Sequence, residues 1–172
     1  MTPPLLEITA LQGLVFGLLT LPICLWTVWT DVTDAKIKNV AVLALVAVFV
    51  VAAPFLMPLG EFAWRWTHMG VALALGFALF ATVGIGAGDA KFMAAAAPFV
   101  ALGDLSTIAL IYCAFSVALV LAMALARRSA RLRTAAPGWI WLEDGNRRHL
   151  PLGVGLAPTL SVYFLLGALQ GA

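Results

Sequence analysis

Eight carboxylates are the main candidates for chemistry in this 172-residue chain: Glu7, Asp31, Asp34, Glu61, Asp89, Asp104, Glu143 and Asp144. Most fall in polar breaks, Asp104 among them, where a solvated charge explains them. Asp31 and Asp89 are different. Each flanks a long apolar run, Asp31 just after the first and Asp89 just before the fourth. A carboxylate at the mouth of a helix bundle is costly to desolvate and is a functional candidate by default.

Asp89 stands in Val83-Gly84-Ile85-Gly86-Ala87-Gly88-Asp89-Ala90-Lys91. Three glycines at alternate positions disfavour a helix and open backbone conformations that other residues resist. An unwound stretch of this kind survives at membrane depth only when buried in protein or lining a wet cavity. A carboxylate on such a turn suits the cutting of a peptide whose helix must first be opened. The plainer alternative is a tight turn in which Asp89 caps the next helix. A phosphate-binding loop fits less well, because no Ser or Thr follows Lys91 and no strand precedes the glycines. Asp31 and Asp34, three residues apart on one helical face, also read as polar residues at a helix end.

The elements that must position these groups are apolar. The chain is 63% hydrophobic and 10% charged, with a mean hydropathy of +1.05. A soluble domain carries about 25% charged residues, so a water-facing surface cannot be built from this supply. The apolar runs approach the ~20 residues that a spanning helix needs. They predict an all-α membrane protein with six transmembrane helices: Leu11–Trp29, Val40–Leu59, Trp66–Ile85, Ala90–Leu102, Leu105–Ala126 and Leu150–Leu169.

If all six cross, one face receives Lys36, Lys38, Lys91, Arg127, Arg128, Arg131, Arg133, Arg147 and Arg148, and the other keeps only Arg65. That is the asymmetry of the positive-inside rule. It predicts cytoplasmic loops at 30–39, 84–91 and 127–149, both termini on the non-cytoplasmic side, and one domain over 1–172. The fourth span is short, and Lys91 snorkelling with Asp104 reaching the far interface would extend it. Trp139 and Trp141, beside Pro137-Gly138, suit a stretch lying on the headgroups. No basic residue precedes the first run, so that helix reads as retained rather than as a cleaved signal. Cys24 and Cys113 sit singly in apolar runs as small hydrophobes, with neither a zinc nor a disulfide pattern.

Together the two acidic segments resemble a known family. Asp31-x5-Ile37-x-Asn39 is similar to the first aspartate motif of bacterial prepilin peptidases, in which an Asp precedes a basic stretch and Ile-Pro-Asn. Gly86-Ala87-Gly88-Asp89-Ala90-Lys91-Phe92-Met93 resembles that family's GxGD motif, and Pro151-Leu152-Gly153-Val154-Gly155-Leu156-Ala157 resembles its Pro-Tyr-Gly segment. Lys38 stands where Pro is usual, Leu152 where Tyr is usual, and Pro98 where a small residue is commoner. The chain lacks the cysteine-bearing region of the members that also methylate, so it resembles the small peptidase-only form of Flp-type (tight adherence) pilus systems.

The resemblance implies an intramembrane aspartic protease of the bacterial inner membrane with Asp31 and Asp89 catalytic. Gly86, Gly88, Lys91, Asn39, Pro151 and Gly153 would support the site or bind substrate, with Lys91 read chiefly as an interface anchor. It implies no metal or cofactor and no nucleic-acid partner. The partners would be the lipid bilayer and prepilins, each a short basic leader followed by an apolar helix. Two carboxylates brought together cannot both ionise cheaply, so the pair holds one proton. The ionised member can then activate water while the protonated one donates to the carbonyl oxygen. The sequence does not assign those two parts. Other classes remain: a small transporter or proton-conducting protein, which would more often carry an acid deep within a span, or a catalytically silent pilus-assembly subunit.

Overall fold

The first helix starts where its unpaired amides find partners. Thr9 Oγ1 accepts from the Gln12 amide at 3.2 Å and Gln12 Oε1 accepts from the Thr9 amide at 3.1 Å, a reciprocal capping box. Gln12 Nε2 also donates to the Leu56 carbonyl at 3.0 Å, satisfying the end of a second helix. The computed structural model describes residues 6–128 and 153–172. It contains α1 (Ala10–Asp34), α2 (Asn39–Leu56), α3 (Leu59–Thr82), α4 (Ala87–Ala96), two 3₁₀ turns (Ala97–Phe99 and Leu102–Asp104), α5 (Leu105–Arg128) and α6 (Gly153–Gln170). The expected headgroup stretch with Trp139 and Trp141, and Pro151, lie outside the described residues.

Among the described residues, four helices are long and apolar enough to cross a membrane: Ala10–Asp34, Asn39–Leu56, Leu102–Ala126 and Gly153–Gln170. α3 has 24 residues but carries Glu61, Arg65 and His68 in its first half. The expected fourth span, Ala90–Leu102, is not one continuous helix. Its helix has 10 residues, about 15 Å long and half the ~30 Å hydrocarbon thickness. The chain nevertheless runs from one end of the bundle to the other, because the segment continues through the 3₁₀ turns. Asp89 lies beside Asp31 at one end, and Asp104 meets Glu7 and Ile8 at the other.

Irregular backbone inside an apolar bundle must be satisfied by protein, and here it is. Pro98, Phe99, Val100 and Ala101 are buried. The Ala101 amide donates to Tyr163 Oη at 3.3 Å, and the Val100 carbonyl lies 3.2 Å from His68 Nδ1. Phe99 is the centre of an aromatic cluster, 5.0 Å from Phe16, 5.2 Å from Phe49 and 5.7 Å from Phe164 between ring centroids. Edge-to-face contacts of this kind add to simple burial, and they join α1, α2, α6 and the 3₁₀ turn. α1 packs closely on α6, where a Cβ at Gly13 would sit 2.6 Å from the Gly167 carbonyl carbon. Small residues allow that approach.

Asp104 is not a solvated charge, contrary to its place in a polar break. It is 2% exposed. It accepts from the Glu7 amide at 2.7 Å, the Ile8 amide at 3.1 Å and Tyr163 Oη at 2.7 Å. A buried carboxylate requires such donors, and the chain supplies them from its N-terminal segment and from α6. Leu6 also pairs with Gly171 in a parallel bridge. Both ends of the described chain therefore lie at the end of the bundle away from Asp31 and Asp89. Arg65, counted as the lone cation of that side, is buried at 5% exposure against Glu61, with Nη2 2.7 Å from Oε1.

Asp104→Asn is expected to lower stability by about 3 kcal/mol, because it puts an amide N–H against hydrogen-bond donors. Tyr163→Phe, which removes a donor to Asp104 and the acceptor of the Ala101 amide, should cost about 2 kcal/mol. Thermal unfolding in detergent measures both, and an Asp104→Asn protein that melts like the parent would show that this buried anchor does not hold the bundle.

Candidate active site

α1 continues one turn past its expected end, so Asp31 lies in the last helical turn, 4% exposed, and not in a loop spanning 30–39. The helix stops at Ala35, which adopts the left-handed conformation (φ 50°) and donates its amide to the Asp31 carbonyl at 3.1 Å. That conformation is unfavourable for a residue with a Cβ by about 1 kcal/mol. It turns the chain within four residues, 35–38, into α2. Lys38 and Asp34 bridge the turn at 2.6 Å.

The N-terminus of α6 meets this turn. The Val154 amide donates to Asp31 Oδ2 at 3.1 Å. First-turn amides of a helix have no intrahelical acceptor, and a carboxylate there is favoured by the helix dipole. Gly153 makes the approach possible. A Cβ at 153 would lie 2.8 Å from Asp31 Oδ2, 3.0 Å from its Cγ and 2.9 Å from Ile37 Cδ1, so any side chain there would displace the carboxylate.

Asp89 arrives from the opposite direction. α3 ends at Thr82, Gly84 takes φ 78°, which a glycine adopts without strain, and Gly86 caps α4. The expected unwound turn over 84–88 is corrected, since only 84–86 are free of helix and Asp89 lies in the first turn of α4. The capping alternative is corrected too, because the cap is Gly86. The Gly86 amide donates back to the Asp89 carboxylate, which is half of a capping box. A Cβ at Gly86 would collide with that carboxylate. Gly88 serves close packing instead of unwinding: a Cβ there would lie 3.2 Å from Ile37 Cβ. On α3, Gly76 plays the same part, with a would-be Cβ 2.9 Å from Ala90 Cβ.

The two aspartates therefore share a site. Asp89, half-buried and ahead of the apolar part of its segment, has a pKa raised to about 7. Burial is the larger cause and the charge of Asp31 the second, while the Gly86 amide opposes both. Lys91 Nζ donates to Asn39 Oδ1 at 3.2 Å, tying α4 to α2 next to the pair. Thus Asp31, Asp89, Gly86, Gly88 and Gly153 converge, and Asn39 with Lys91 forms the rim. Ala35, Gly76 and the Val154 amide were not legible as site elements. A main-chain donor leaves no mark in residue type, and the two small residues look like ordinary helix packing. Among the described residues no group of three or more His, Cys, Asp or Glu side chains is placed to hold a metal. Cys24 is buried and Cys113 exposed, both free.

A family model described as the type IV leader peptidase family matches residues 18–125, more than half of the chain. The match takes in Asp31, Asn39, Gly86, Gly88, Asp89 and Lys91, while Gly153 lies beyond it. Comparisons with curated proteins and with solved structures give no match. With that match over an all-helical chain bearing several spanning helices, the protein belongs to the type IV leader peptidase family, a family of membrane proteases.

Proposed function

We propose that this chain is a membrane-embedded aspartic endopeptidase that removes the short basic leader of Flp-type prepilins, with Asp31 and Asp89 as its catalytic pair. The observation that carries the reading is the meeting of the two carboxylates, brought from α1 and α4 to one end of the bundle. One proton shared between them supplies both a base for water and an acid for the carbonyl oxygen. Six crossings, with the fourth running from Ala90 through the 3₁₀ turns, would put this end at the cytoplasmic face by the bias of Lys and Arg. A prepilin leader lies on that same face. The reaction needs no group beyond the pair, a water molecule and the substrate. The lipid bilayer and prepilins are its partners, in the bacterial inner membrane.

Co-expression with a pilin precursor tests the chemistry. Asp31→Asn and Asp89→Asn should each reduce leader removal about a hundredfold or more, with normal membrane abundance, whereas Asp34→Asn, which loses only an exposed ion pair, should cleave normally. Normal cleavage by the Asp31 or Asp89 variant would defeat the two-aspartate reading.

The pH dependence follows from Asp89. Its proton is held to about pH 7 against an ordinary value of 3.8, so cleavage by purified enzyme should decline as pH rises through 7. An acid limb should appear where the second carboxylate is protonated, and both limbs belong to the pair. The same proton binds more tightly in the folded state than in the unfolded one. Stability should therefore be fullest below about pH 4 and fall as pH rises toward 7. Asp89→Asn should remove that slope in detergent melting curves.

For the topology, single cysteines at Lys36, Gly60 and Leu102, all exposed, are introduced in a Cys24/Cys113-free background. The residue-36 probe should react from the cytoplasm and the other two from outside. Labelling of position 102 from the cytoplasm would remove the fourth crossing.

A further inference from the structure

Ile37, part of the Asp31-x5-Ile37-x-Asn39 motif, makes contacts that its residue type and its place in a four-residue turn do not announce. Its Cβ faces Gly88 of α4, where a Cβ added to the glycine would come within 3.2 Å, and its backbone N and O lie 3.6 Å from the same point. Its far end faces Gly153 of α6, where a Cβ would come within 2.9 Å of Cδ1. Each glycine is bonded to, or touches, one of the two acids. Gly88 precedes Asp89 in the chain, and Gly153 lies against the Asp31 carboxylate. One half-buried side chain thus stands between the two helix N-termini that carry and contact the pair.

We infer that Ile37 is the spacer that sets the separation of Asp31 and Asp89, a positioning residue for the reaction proposed above, on which this inference rests. The turn that bears it has few other restraints. Residues 35–38 are outside any helix, Ala35 holds a left-handed conformation, and Asp34–Lys38 is an exposed ion pair that adds little. Packing of Ile37 against the core fixes the turn. The β-branched side chain has few χ1 alternatives, so it transmits a defined distance. Val would keep the Cβ that meets Gly88 but lose the δ-carbon that meets Gly153, and Ala would keep that Cβ alone.

Among the described residues, the charges around the pair are engaged or exposed. Asp34 and Lys38 hold each other, Lys91 is bound to Asn39, and Lys36 and Arg128 are exposed. α2 and residues 71–82 of α3 carry no titratable side chain, and the one on α6, Tyr163, is bound to Asp104 at the other end. Separating the carboxylates weakens the repulsion that Asp31 exerts on Asp89 and admits water, and both changes make Asp89 give up its proton at lower pH.

The test uses purified full-length protein in detergent and two independent readouts. The first is the infrared titration of Asp89, assigned by its loss in Asp89→Asn, which needs no substrate. Its midpoint should fall below the parent's in Ile37→Ala, and by a smaller amount in Ile37→Val. The second is cleavage of a purified pilin precursor. Ile37→Ala should lose roughly tenfold or more in kcat with KM within about twofold, its alkaline limb moving down with the infrared midpoint. Ile37→Val should recover most of the rate.

An unchanged midpoint in folded Ile37→Ala protein would overturn the inference, as would a loss confined to abundance or to KM. Should Ile37→Ala fail to accumulate, the Ile37→Val midpoint decides by the same criterion. Absence of cleavage by the parent would instead defeat the proposed function, and the infrared result would still decide whether Ile37 spaces the two acids.

Discussion

Holding a second carboxylate beside a buried first one is unfavourable, and much of this fold is arranged around that penalty. Charge repulsion and poor hydration would drive the two groups apart or draw in water. Opposing this are amide donors and backbone contacts. Asp31 takes the Val154 amide and Asp89 the Gly86 amide, so each acid is held by the first turn or cap of a helix. The remaining cost appears as the proton that Asp89 keeps to about pH 7. That retained proton gives the pair both an acid and a base near neutral pH, which two isolated aspartates would not have.

Close approach of main chains is the means by which the pair is assembled. Gly86, Gly88 and Gly153 each stand where a Cβ would strike Asp89, Ile37 or Asp31. In an apolar solvent no hydrophobic force draws helices together, so contact depends on fit and on hydrogen bonds. Glycines permit the fit, and first-turn amides supply the bonds. The same economy explains why α4 is short. Its 10 residues deliver Asp89 to one end, and the irregular 97–104 stretch covers the remaining distance under the protection of Phe16, Phe49 and Phe164.

The opposite end of the bundle is locked by different chemistry. Asp104 gathers the N-terminal segment and α6 through the Glu7 and Ile8 amides and Tyr163, and the Leu6–Gly171 bridge closes the chain ends together. The acids at the two ends of the fourth segment thus differ, Asp104 being buried and Asp89 half-buried. Asp104 is fully satisfied by donors, which suits an anchor. Asp89 is destabilised by a like charge, which suits proton transfer.

Membrane residence, helical class and the two chemically eligible acids follow from the sequence alone, because bilayer solvation acts on long averages of residue type that composition and apolar runs record directly. The motifs around Asp31 and Asp89 likewise single out the two acids that the fold brings together, since they set acids, glycines and Lys91 at fixed spacing. Three matters were decided only by tertiary structure. The sequence could not tell Asp104 from a solvated loop acid, because burial depends on whether distant donors, here Glu7, Ile8 and Tyr163, converge on it. It could not show that the glycines at 86 and 88 serve close packing within a helix start, because the atoms they make room for belong to Asp89 and Ile37. Nor could it show what holds Asp31, because the donor is a backbone amide 123 residues away and every residue but proline carries the same amide.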